Sequence, residues 1–264
     1  MAIGSGAHER RSIAHVSHGA ISVDIGPDRR GARRSSRFVV LHLLVPLALC
    51  LGAGLLCFAF DTDFRIADQL YAWQGQQWLA RDLHVTNTLL HKGGRNLSWV
   101  AWLVALGACM TALARPRMAL LRRPLCYLVV ATLIAASLVA WIKNWSNIDC
   151  PWDLARYGGE RPWVGLFAAR PPGLGHAACF PAGHASSGYA WFSLYFYLRV
   201  VRPRWRAAGL ALAMGSGLVF GITQQVRGAH FFSHDIVTAA LCWSVALGLY
   251  WLFWRQTSRA EPSA

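Results

Sequence analysis

Cys179-Phe180-Pro181-Ala182-Gly183-His184-Ala185-Ser186 and Arg227-Gly228-Ala229-His230-Phe231-Phe232-Ser233-His234-Asp235 bracket two apolar segments joined by a short basic turn. A chain of that pattern leaves one membrane face and returns to it. The pattern predicts that His184, Arg227, His230 and His234 meet at one interface. Ionisable groups gathered at the ends of apolar helices mark a functional site by default, because lipid does not solvate them.

Composition places the chain in the membrane. Of 264 residues, 55% are hydrophobic, 14% are charged and 13 are Trp, with a positive mean hydropathy. A formal net charge of +14 raises nucleic acid as a partner, but 24 of the 26 basic residues are Arg and no run interleaves them with aromatics on a soluble domain. The lipid bilayer is the expected partner, and no nucleic acid is expected.

Six apolar segments read as spans, at 38–60, 97–114, 125–142, 185–198, 207–226 and 236–254. At about 1.5 Å per residue most cross roughly 30 Å of hydrocarbon. Segment 185–198 is shorter and gains a turn from Gly183-His184. Unpaired backbone does not survive in lipid, so an all-α, six-transmembrane-helix bundle is expected over residues 38–254. Residues 1–37 are polar with seven Arg, and read as a disordered basic cytoplasmic tail or as a start set too far upstream. Residues 255–264 read as a second cytoplasmic tail.

Seventeen of the 26 basic residues fall in the two tails and the turns at 115–123 and 199–206. The positive-inside rule then puts both termini in the cytoplasm and both quoted clusters outside. The outer segment 61–96, with Phe64, Leu70, Trp73, Trp78 and Leu79 among charges, reads as an interfacial amphipathic helix or as a lid packed on the bundle. Five of the seven cysteines lie inside spans. Cys150 and Cys179 share an outer loop, and are expected to pair as a disulfide if that side is oxidising; the alternative is two separate buried thiols.

Chemistry concentrates at the two clusters. Gly183 admits a ligand close to the backbone, helix-start amides attract an anion, and His184 is placed to protonate a departing oxygen. The bland alternative is loop punctuation beside a histidine at the wet interface. His230 and His234, four residues apart, share a helical face, with Arg227 one turn earlier. A guanidinium fork binds two phosphate oxygens, and an imidazole held through its second nitrogen is an activated nucleophile. His234 and Asp235 are the candidates to hold it. A zinc site of His230, His234 and Asp235 is the rival, disfavoured because no metalloprotease-type Glu separates the histidines and Arg227 would repel a cation.

Taken in order, Lys143 with Cys150-Pro151 after six intervening residues, then Pro181-Ala182-Gly183-His184, then Gly228-Ala229-His230-Phe231-Phe232-Ser233 resemble the three motifs of the type 2 phosphatidic acid phosphatase family. The likeness is greatest to its six-span bacterial lipid phosphatases. Departures are specific: Cys150 stands for an Arg, Ala182 for a Ser, Thr223-Gln224 for a Ser-Arg pair, and His234 for an Asp. Arg156 or Arg161 would replace the first lost guanidinium and Arg227 the second, while Asp235 serves only if the turn is re-aimed. Another register makes His234 the nucleophile.

The resemblance implies a phosphatase without metal or cofactor in a bacterial inner membrane, its site facing the periplasm. His230 would attack phosphorus to form a phosphohistidine, and His184 would act first as acid and then as base. Lys143, Arg227 and the amides near Gly183 would stabilise the equatorial oxygens. Implied substrates are membrane phospholipid, isoprenyl or lipid A phosphates. The alternatives are a lipid-to-lipid phosphotransferase and a non-catalytic phospholipid-binding membrane protein. Neither the lipid nor the oligomeric state is legible in the sequence.

Overall fold

Each apolar run is helical in the computed structural model, which describes residues 36–165 and 168–254. The tails expected at 1–37 and 255–264 lie outside the described residues, apart from Ser36 and Arg37. The helices are α1 (Val45–Ala59), α2 (Thr62–Trp73), α3 (Gly94–Ala114), α4 (Ala119–Ser146), α5 (Ser186–Tyr189), α6 (Phe192–Val201), α7 (Arg206–Val226) and α8 (Phe232–Trp254). Five stretches among the described residues, Ser36–Ala59, Val85–Ala114, Pro116–Asp153, Pro203–Val226 and Phe232–Trp254, are long and apolar enough to cross a membrane. They mark an all-helical membrane protein.

The fourth expected span is where the structure departs. Instead of one helix over 185–198, the chain forms α5 of 4 residues and α6 of 10, so five stretches rather than six meet the length. The cause is local. Ser193 Oγ donates to the Ala190 carbonyl at 3.1 Å and lies 2.7 Å from Thr132 Oγ1, which draws that carbonyl out of the ladder. Trp191 and Leu194 then take tighter bonds to the third residue back, Gly188 and Trp191.

The two pieces still run along α7. Gly188 meets Gly217 near one end, and Leu198 reaches Gly209 near the other. This hairpin forms the middle of the bundle: Tyr189, Phe192 and Phe196 are buried with Tyr127 and Val139 of α4 and Cys242 of α8. Tyr127 Oη donates to the Ala246 carbonyl at 2.8 Å, so the one polar atom of that ring is satisfied. Leu51 and Leu55 of α1 and Leu97 and Val104 of α3 point outward, as helices do whose solvent is lipid. Within 61–96, Phe64, Tyr71 and Trp78 pack on Leu154, Tyr157 and Phe231, while Trp73 and Leu79 are exposed.

The α5–α7 contact needs glycine on both sides. A Cβ on Gly217 would fall 2.2 Å from Tyr189 Cδ1, and one on Gly188 would fall 2.2 Å from the Gly217 nitrogen. Small residues allow this approach, and helix packing within lipid depends on it. Gly217→Val should therefore destabilise by about 3 kcal/mol and lower the Tm of the detergent-solubilised protein. Gly215→Ala, where a Cβ meets nothing within 4 Å, should leave the Tm unchanged or slightly raised.

Candidate active site

The site begins where α4 stops. Lys143 lies in its last turn, and Asn147 ends it in the left-handed region (φ 52°). The following loop is fastened from several sides. Cys150 and Cys179 form a disulfide with a Cα–Cα distance of 5.2 Å. Cys179 N–H donates to the Ile148 carbonyl at 3.0 Å, and Trp152 N–H to the Gly228 carbonyl at 2.9 Å. The Asp149 carboxylate is 1% exposed and takes Arg161 at 2.6 Å and Arg170 at 2.7 Å.

Gly228 turns the chain between α7 and α8 with φ 71°, and the Trp78 ring lies so close that a Cβ would sit 2.4 Å from it. That turn carries His230, while His234 falls in the first turn of α8. Their Nδ1 atoms lie 3.5 Å apart. His234 Nδ1 is 3.1 Å from the Cys179 carbonyl, and His230 Nδ1 is 3.8 Å from Cys179 Sγ. Asp235, one residue on, is rotated about 100° around the helix and faces α7. It accepts a hydrogen bond from Gln225 Nε2 and lies against Gly221. The structure thus brings His234, and not Asp235, to His230. Asp63 holds the start of α8 by accepting from Ser233 N–H at 2.8 Å and Ser233 Oγ at 2.5 Å.

Lys143, Gly183, His184, Arg227 and His230 line one cavity of about 310 Å³, with Arg95, Trp152, Gln224 and the disulfide completing its wall. Three cations line it and no carboxylate does. Arg227 is aimed by its neighbours: Nε and Nη2 donate to the Arg81 carbonyl at 3.1 and 2.9 Å, and Nη1 to Gln224 Oε1 at 3.1 Å. Three of its five N–H groups are engaged, which leaves two for an oxyanion. Gly183 lets Lys143 lie on the backbone, because a Cβ there would be 3.3 Å from Lys143 Cδ and 3.5 Å from Nζ. The His184 ring tilts against Phe220 at 5.2 Å. Burial, and after it the charges of His234, Lys143 and His184, hold the His230 pKa well below its ordinary value. His230 is therefore neutral and has a lone pair to offer.

Two expected phosphate ligands sit elsewhere. Arg156 makes a two-point ion pair with Asp68 at 2.8 and 2.6 Å and fastens α2, and Arg161 is taken by Asp149. Neither lines the cavity. The additional guanidinium is that of Arg95 in the first turn of α3, which sequence reasoning missed. Its signal was faint: one arginine among the charges of an outer segment, just ahead of an apolar run. Among the described residues no group of three or more His, Cys, Asp or Glu is arranged to hold a metal ion. A second cavity of about 540 Å³ lies behind His234, lined by Phe58, Phe64, Trp163, Asp61 and Asp63 and by no Lys or Arg, an environment that disfavours an anion.

A family model described as the PAP2 superfamily matches residues 124–258. No curated protein and no solved structure gives a significant match.

Asp149 is the buried acid on which the loop's two arginines converge, and removing it strands them. Asp149→Ala should cost about 3 kcal/mol, within the range for breaking a buried ion pair from one side, and lower the Tm measurably. Arg156→Ala, whose ion pair is more than a third exposed on both partners, should change stability by less than about 1 kcal/mol.

Proposed function

The chain belongs to the PAP2 superfamily, and from that membership we propose that it is a membrane phosphatase releasing phosphate from a lipid phosphate or diphosphate through a phosphohistidine. The carrying observation is the cavity, in which two histidines share a wall with three cations and no carboxylate. A phosphoryl group passes through a state with charge spread over its equatorial oxygens, so catalysis rests on positioning and on fixed positive charge. Lys143, Arg227 and Arg95 are that charge.

In the proposed first step the lone pair of His230 Nε2 attacks phosphorus. The bond to the leaving oxygen breaks, and that oxygen takes a proton from His184. In the second step His184 removes a proton from water, the water oxygen bonds to phosphorus, and the electron pair of the P–N bond returns to His230. Gly183 keeps side-chain bulk away from the phosphate. The membrane-spanning helices around the cavity leave the substrate's hydrocarbon in the bilayer.

The proposal extends to location. Taken together, α5 and α6 run along α7, and counting them as one kinked span restores six spans with both termini on one side. The positive-inside rule puts that side in the cytoplasm of a bacterial inner membrane and the cavity at the periplasmic face. A disulfide in the cavity wall agrees with an oxidising compartment.

Purified protein should release inorganic phosphate from a panel of phosphatidic acid, phosphatidylglycerophosphate and isoprenyl diphosphate, equally with and without chelator. His230→Ala and His184→Ala should each lose about a thousandfold or more in kcat. The pH profile carries a sign. Because the His230 pKa is lowered, the nucleophile stays unprotonated as pH falls through about 6.5, and kcat/KM declines only on passing below the depressed value. An acid limb at or above about 6.5 would count against His230 as nucleophile.

A further inference from the structure

We propose that the cleft between α3 and α7 holds the part of the substrate's hydrocarbon chain nearest the phosphate; this rests on the phosphatase reading above. Direction comes first. In an in-line displacement the leaving group departs opposite the nucleophile, and in a lipid phosphate the leaving group carries the chain. The chain therefore emerges on the side of His184, the proton donor, and away from His230. The cleft opens there. Phe220 of α7 lies against the His184 ring, 5.2 Å between centroids, and also lines the cleft. Ser187 of α5 lines both the cleft and the catalytic cavity, so the two spaces meet at that residue.

The shape of the cleft suits a chain. At its outer end α3 meets α7 so closely that a Cβ on Gly94 would fall 2.4 Å from the Phe220 ring. Below that contact the helices leave a space of about 200 Å³, walled by Leu97, Ala101, Trp191, Leu194 and Leu212. No charged residue lines it. Two of its hydroxyls are bonded within the protein: Ser98 Oγ accepts from Trp191 Nε1 at 3.0 Å, and Ser216 Oγ donates to the Leu212 carbonyl at 2.8 Å. Ala101 lies seven residues beyond Gly94, about 10 Å further along the helix. Leu97 and Leu212 are 68% and 63% exposed, so the cleft opens sideways to lipid. Lipid solvates a methylene about as well as a leucine does, so the cleft adds little attraction; what it supplies is orientation of the attached phosphate. The other spaces fail on geometry. The cavity of about 540 Å³ behind His234 lies on the nucleophile's side and shares no lining residue with the catalytic cavity. A cleft of about 80 Å³ between α3 and α4 reaches Ser187 and Arg95, but Trp102 Nε1 donates to the Val129 carbonyl at 3.0 Å and closes α3 onto α4 there.

Ala101→Trp and Leu212→Trp each place an indole in the cleft. Either should lower kcat/KM for a long-chain phosphatidic acid by about a hundredfold, the scale of a misplaced reacting group. Both should leave kcat/KM for p-nitrophenyl phosphate, which has no chain, unchanged, and that turnover is also the check on folding. Val104→Trp, on the outward face of α3 and 68% exposed, should change neither. A second measurement needs no turnover. In His230→Ala protein, a phosphatidic acid with a photoreactive diazirine in mid-chain should label α3 and α7 at the cleft, and adding either Trp substitution should abolish that labelling. Equal losses for the chain-bearing and the chainless substrate in a folded variant, no loss for either, or labelling on α1, α2 or α4 instead would each overturn the inference. Labelling at the cleft of a native protein that releases phosphate from no ester would instead remove the phosphatase reading and leave the chain site standing.

Discussion

The disulfide between Cys150 and Cys179 is the tie on which the cavity depends. Lipid forbids irregular backbone except where protein or water covers it, so the loops that carry chemistry are confined to helix ends. There they lack the ladder that keeps helices in register. Here the end of α4, the approach to α5 and the turn between α7 and α8 come from three separate parts of the chain. One covalent bond and a few main-chain hydrogen bonds, Cys179 to Ile148 and Trp152 to Gly228, hold the three together. With those in place Lys143, Gly183, Arg227 and His230 face a common space.

The charge of that space follows from where the acids go. Asp149 is consumed by Arg161 and Arg170, Asp68 by Arg156, Asp63 by the start of α8, and Asp235 by Gln225. These four carboxylates are engaged away from the cavity; Asp82 acts on Arg227 from outside it, and no carboxylate lines the wall that Lys143, Arg227 and Arg95 share with two histidines. A positive field of this kind, with Arg227 buried, Lys143 half-buried and Arg95 at the exposed rim, has one evident use, since an anion is what relieves it. Burial first, and Lys143 as a lesser charge beside it, keep His230 neutral, so one of the groups that attract phosphate also helps to ready the nucleophile.

Spans were legible because hydropathy over 18 or more residues is a long, redundant signal, and membership in the family was legible from three short clusters in the right order. The breaks were not. Nothing in 185–198 announces that Ser193 will take the Ala190 carbonyl, because the bond is completed by Thr132 from another helix. The replacements for lost motif residues were misplaced for a related reason. Arg156 and Arg161 lie near the first motif in sequence, yet acids close by in space claim them, while Arg95 arrives from a helix that sequence distance made remote.

Sequence alone determined that this chain lies in the membrane, that it is helical, and that His184, His230, His234 and Arg227 belong to one polar end, since these follow from hydropathy, composition and motif order. Tertiary structure alone decided which neighbour each polar group meets. The choice between His234 and Asp235 is the plain case: adjacent in sequence, they point about 100° apart on α8, one toward His230 and the other toward α7. Spacing along a chain states which faces exist, but what lies against a face depends on helices that fold back from far away.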